Sequence, residues 1–171
     1  AIDGGLEFDY KWNMGWMNDT LDYIKTDPLY RKYHHNELTF QMTYIFSEHY
    51  ILPLSHDEVV HMKGSMINKM PGEYEQKFAS LKTYYTYMMT HPGKKLLFMG
   101  GEIGQFREWS ESRELDWSVL EYPLHQGLQN YVRDLNKLYK KDPALYQNEV
   151  NWEGFNWLMV NDADHNVLAY K

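Results

Sequence analysis

A chain of 171 residues can bury a substantial core, and its length alone suggests one domain. Its 43% hydrophobic and 24% charged content is ordinary for a globular protein. A net charge of -7 with no basic block argues against a nucleic-acid surface, and the absence of cysteine excludes disulfide and thiolate chemistry.

No apolar run approaches the ~20 residues that span a bilayer. No signal peptide is recognisable, and a reducing cytoplasm is the expected location. The chain opens without Met and stops at Val167-Leu168-Ala169-Tyr170-Lys171, which reads as mid-strand. The expectation is therefore a piece of something longer. Aromatics reach 16%, with 15 Tyr and 6 Trp. Such rings fill cores, and they also stack on the apolar faces of sugars.

In chain order, a Gly4-Gly5 turn precedes a short alternating strand over 8–13, which Gly15 breaks. Met17, Leu21 and Ile24 then predict a helix closed by Pro28. Asn36 is a candidate cap for a second helix carrying Leu38, Met42, Ile45 and Phe46. The apolar run 50–54 reads as a strand despite Pro53. Residues 59–70 lack a period and read as a long loop. Pro71-Gly72 opens the clearest helix, with Tyr74, Phe78, Leu81, Tyr85 and Met88 in one stripe, and Pro92-Gly93 stops it. A strand over 94–99 ends at Gly100-Gly101, and a polar, aromatic loop covers 102–122. The last helix carries Leu124, Leu128, Tyr131/Val132, Leu135 and Leu138/Tyr139, and a hairpin spans 152–170.

Alternating strands and helices, with short continuous apolar strands, predict an α/β fold with a parallel sheet. The long polar loops follow the C-terminal ends of strands, as in a (β/α)8 TIM barrel. A doubly wound sheet shares that pattern, but no Gly-rich phosphate fingerprint follows any strand; Gly100-Gly101-Glu102-Ile103-Gly104 has the wrong spacing. Three units cannot close a barrel. The expected organisation is a partial barrel over 1–149 and the start of a C-terminal all-β domain over 150–171.

His56-Asp57-Glu58-Val59-Val60-His61 is the densest ionisable cluster. Two His five apart lie about 500° around a helix, so their rings diverge by about 140°; on a strand they face opposite sides. No metal site is expected. Ser55 beside His56 makes no nucleophilic elbow. A glycosidase-like role fits better, with a strand-end Asp gripping sugar hydroxyls and His56 donating to one. Asp57 as a loop cap beside a half-buried His56 remains open on residue chemistry alone.

The segments Tyr10-Lys11-Trp12-Asn13-Met14-Gly15-Trp16-Met17, Tyr33-His34-His35-Asn36-Glu37-Leu38-Thr39-Phe40, Leu52-Pro53-Leu54-Ser55-His56-Asp57-Glu58-Val59-Val60-His61 and Lys95-Leu96-Leu97-Phe98-Met99-Gly100 closely resemble bacterial 1,4-α-glucan (glycogen) branching enzymes of the α-amylase superfamily. Leu115-Asp116-Trp117, Val132-Arg133-Asp134-Leu135-Asn136 and Gly154-Phe155-Asn156-Trp157-Leu158 continue the match in order. The resemblance implies cleavage of α-1,4-glucan through a covalent glycosyl-enzyme and transfer to a 6-hydroxyl. It places this chain at the sixth to eighth βα units. Asp57 then matches the transition-state-stabilising carboxylate and His56 its substrate-binding partner. Glu102, Trp109 and Trp12 fall where the family builds glucan-contacting loops. The nucleophilic Asp and the acid/base Glu would precede Ala1, so the chain alone is expected to be inactive.

The resemblance implies no cofactor and an α-glucan partner such as glycogen or amylose; no nucleic acid or membrane is expected. Departures are Asn18, where relatives usually have His, and Met62, where Gly usually follows His61. Two other readings stand beside the enzyme piece. One is a non-catalytic glucan-binding half-barrel; the other is an interaction protein that self-associates through open barrel edges.

Overall fold

The computed structural model describes residues 5–171; Gly4, half of the expected Gly4-Gly5 turn, lies outside them. Strands β1 (Lys11–Trp12), β2 (Tyr50–Leu54) and β3 (Lys94–Leu97) form one parallel sheet in that order. Helix α1 (Met14–Lys25) connects the first pair and α2 (Tyr74–Thr90) the second, while α3 (Pro123–Lys141) follows the long loop after β3. The outcome is a mixed α/β chain whose parallel strands run in sequence order without a reversal.

Asn13 makes the first corner. Its amide donates to Ile51 O, ending β1, and its side chain accepts from Trp16 N at 2.9 Å, capping α1. The strand expected over 8–13 is therefore only two residues long. Gly15 does not break the chain; it lies in the first turn of α1. A Cβ there would stand 2.6 Å from Tyr44 Oη, which itself donates to Asn13 Oδ1. Glycine serves close approach here.

The helix expected from Asn36 is absent. Residues 31–43 instead form three 3-10 turns, Arg31–Tyr33, His35–Leu38 and Phe40–Thr43. Thr39, Thr43 and Ser47 each turn a hydroxyl onto the carbonyl three residues back, which competes with helical bonding. Met42 and Ile45 are nevertheless buried, so the apolar spacing marked a packing face.

Pro53 sits in the central strand without breaking it. His49 and Ile51 carbonyls accept from Lys11 and Asn13 on the β1 side. By the two-residue alternation Pro53 turns its nitrogen the same way, just past the end of β1. Leu54 O accepts from Phe98 N on the other side.

The core lies between the sheet and the helices. Leu52 and Leu54 pack with Trp16, Leu21, Phe78, Leu81, Tyr85, Met88 and Leu128, all almost fully buried. α1 meets α2 through Trp16 stacked on Tyr84 and a 2.8 Å Thr20–Tyr84 hydrogen bond. α2 meets α3 through Thr86 and Tyr131 at 2.6 Å. Strand β4 (Trp157–Asp162) pairs antiparallel with β5 (Val167–Tyr170). This hairpin is tied back by Tyr170 to Thr90 at 2.7 Å and by His35 Nε2 to Val160 O at 2.9 Å. Among the described residues no helix is long and apolar enough to cross a membrane.

Candidate functional site

The three strands end together at one edge of the sheet, and the polar clusters follow them there. β2 passes from buried Leu54 through buried Ser55 into a 3-10 turn, His56–Glu58, where the chain reaches solvent. His56 Nε2 stands 3.2 Å from Asp57 Oδ1, and the two side chains are 50% and 53% exposed. A carboxylate so placed lies beside the imidazole and remains half open to solvent donors. Glu58 behind them is turned inward, 13% exposed, with Lys63 Nζ at 3.8 Å.

On the β3 side, the His56 ring lies 5.8 Å from Phe98, and Phe98 meets Trp109 edge-on at 5.2 Å. Trp109 N donates to Val59 O at 3.0 Å, joining the loop after β3 to the loop after β2. Trp12 occupies the end of β1, on the opposite flank of β2, and is 40% exposed. Thus Asp57, His56 and Trp109 are linked in one run of contacts, and Trp12 shares their sheet edge. Glu102 differs. Its carboxylate accepts from Gly100 N at 2.8 Å, folding back on the turn that ends β3.

Sequence reasoning passed over Glu108. It accepts from Met62 N at 3.1 Å and Gly64 N at 2.7 Å, and these bonds, Gly64's first, hold its carboxyl below the usual range. No motif marked it, because its partners are backbone amides more than forty residues away. Met62 itself has φ 65 and His61 φ 56, in the left-handed region.

A larger concavity of about 600 Å³ lies elsewhere, between α1, α2 and the hairpin, lined by Tyr23, Tyr84, Tyr87, Tyr131 and Tyr170. The hydroxyls of Tyr84, Tyr87, Tyr131 and Tyr170 are bonded to Thr20, Leu38 O, Thr86 and Thr90. Its lining gathers no acid–base pair. Among the described residues no three His, Asp or Glu side chains gather as a metal set.

No family model matches the sequence. Curated relatives do. The chain is 59% identical over 167 residues to the 1,4-alpha-glucan branching enzyme GlgB of Pseudomonas putida, covering 98% of this chain and 23% of that protein. The enzymes of the same name from Aquifex aeolicus and Halothermothrix orenii are each 58% identical over 167 residues, with 26% of their length covered. This is branching-enzyme sequence. The chain spans about a quarter of the length of the curated relatives it matches. Within this branching-enzyme segment, the His56–Asp57 pair is the exposed acid and imidazole at the strand ends.

Proposed function

We propose that this chain works as part of a 1,4-α-glucan branching enzyme, contributing the sixth to eighth βα units of a (β/α)8 barrel and, from residue 150, the start of a β domain. Parallel strands in sequential order, each joined to the next through a helix, support the barrel reading. The observation that carries the function is an exposed His56–Asp57 pair at the C-terminal edge of β2, within sequence nearly 60% identical to branching enzymes.

In the proposed reaction a carboxylate outside this chain attacks C1 of the donor glucan. The C1–O4 bond breaks and O4 takes the proton of a carboxylic acid, also outside this chain. The 6-hydroxyl of an acceptor glucan then attacks C1, returning its proton to that acid and releasing the carboxylate. Asp57 accepts hydrogen bonds from the sugar hydroxyls, and these tighten as positive charge develops in the oxocarbenium-like transition state. His56, whose Nε2 lies 3.2 Å from Asp57 Oδ1, donates to a sugar hydroxyl. Trp109 and Trp12 offer apolar faces to the glucan, and Glu102 shapes the turn between them. No cofactor is needed, and the α-glucan is the partner. The open edges of β1 and β3 support self-association of the isolated chain.

Two measurements test this reading. The 171-residue chain should leave amylose unchanged by iodine staining; measurable branching would overturn the division of labour. In a glucan titration Asp57→Ala should weaken binding about tenfold or more, the loss of a charged hydrogen-bond acceptor. Binding that ignores Asp57 would favour a non-catalytic module built on the aromatic loops.

A further inference from the structure

The turn at 61–64 combines three features that no packing argument explains together. His61 and Met62 are consecutive non-glycine residues with φ of 56 and 65, and Gly64 follows at 77. L-residues adopt that region reluctantly, singly more than in pairs. Met62 is also 96% exposed, so no burial offsets the strain. Strain of this kind persists only where neighbouring groups over-determine it.

The neighbours are present. Glu108 takes two amides of the turn with its two carboxylate oxygens, Met62 N on one and Gly64 N on the other. Lys69 Nζ donates to Lys63 O at 2.5 Å and to Gly64 O at 3.4 Å, holding the carbonyl side of the same turn. Two more bonds lace the loops after β2 and β3: Trp109 N to Val59 O, and Asn68 Nδ2 to Phe106 O at 2.7 Å. The residues joined this way all follow His56–Asp57 in the chain, and Glu108 immediately precedes Trp109, whose ring meets Phe98 beside His56.

We infer that Glu108 is a positioning residue, a clamp that fixes the 61–64 turn against the loop after β3 so that both loops form one wall beside His56–Asp57. The clamp is a structural statement that stands on its own; that the wall faces glucan rests on the reading proposed above. A carboxylate suits the task because it has two acceptor oxygens and no donor to misplace, whereas a carboxamide would set an N–H against one of the two amides.

Hydrogen exchange on the 171-residue chain reads the clamp directly. In Glu108→Ala the amides of Met62 and Gly64 should exchange about tenfold faster or more, with the α2 core amides unchanged. Glu108→Gln should be intermediate. Unchanged exchange at Met62 and Gly64 would overturn the clamp. Kinetics in a branching enzyme carrying this segment read its purpose. Glu108→Ala should raise KM for amylose about fivefold with kcat within about twofold, and Glu108→Asp should recover part of the loss. Faster exchange with unaltered KM would overturn the positioning role. Asp57→Ala in the same assay separates the two ideas. If it changes neither KM nor kcat, the glucan reading fails, and the exchange data alone decide the clamp.

Discussion

The two ends of the parallel sheet are built to different rules. At the C-terminal edge the chain leaves β2 and β3 in long loops that carry the half-exposed Asp57 and His56, and scattered hydrogen bonds, Glu108 to Met62 N and Gly64 N and Trp109 N to Val59 O, tie the loops together. At the opposite end, where β3 begins, side chains are packed and polar groups are enclosed. His91 is buried among Tyr87, Phe155, Trp157 and Tyr170, and Gln41 Nε2 donates to it at 2.8 Å. Lys95 is almost fully buried, donates to His91 O, and faces Glu149 at 4.0 Å. One end spends its polar groups on reach; the other uses them to lock the hairpin onto α2. The lesson is that this chain's enclosed packing and its exposed polar loops are separated by strand direction.

The sharpest way to break that contrast is to hollow the packed end. Phe155→Ala removes a ring stacked on Tyr170 at 5.2 Å and edge-on to Trp157 at 4.9 Å. It should lower unfolding stability by about 3–5 kcal/mol in urea titration. A benign result would mean that the hairpin is merely laid on the surface.

A pH series probes the same end more gently. Burial pushes His91 down to about 3. Between that value and the ordinary 6.5 the unfolded chain takes up a proton that the folded chain refuses. Stability is therefore full above pH 6.5 and falls as pH drops toward 3. Melting curves from pH 7.5 to 4.5 should fall by roughly 5 °C more in wild type than in His91→Asn. Parallel curves would remove His91 from the account.

The smallest expected effect lies at the open edge. Met62→Gly relieves a left-handed residue, offset in part by the greater freedom of glycine in the unfolded chain. It should stabilise by about 0.5–1 kcal/mol, read by thermal melting. A loss of stability would show that the exposed methionine makes a contact worth more than its strain.

Much of this was legible in the sequence, for identifiable reasons. α2 and α3 announced themselves because Phe78, Leu81, Tyr85 and Met88, and Leu128, Val132 and Leu135, repeat at helical spacing and are buried. β2 showed as an apolar run ending abruptly at Ser55-His56-Asp57. Residues 36–46 misled, since their apolar spacing is helical while their hydroxyl side chains favour tighter turns. The family resemblance singled out Glu102 and passed over Glu108. Only distance separates them: one bonds two residues away, the other crosses to a loop more than forty residues back. Single-sequence patterns register local repetition and miss such crossings.

Pro53 carries one more consequence. A parallel sheet tends to zip, each added residue of one strand inviting its neighbour to lengthen. With no donor on its β1 side at Pro53, β2 offers the next residue of β1 nothing to grip, and Asn13 has already turned away to cap α1. The imide nitrogen thus acts as a stop in the ladder. It ends the β1–β2 ladder at Ile51, while β2 runs on to Leu54 beside β3 alone.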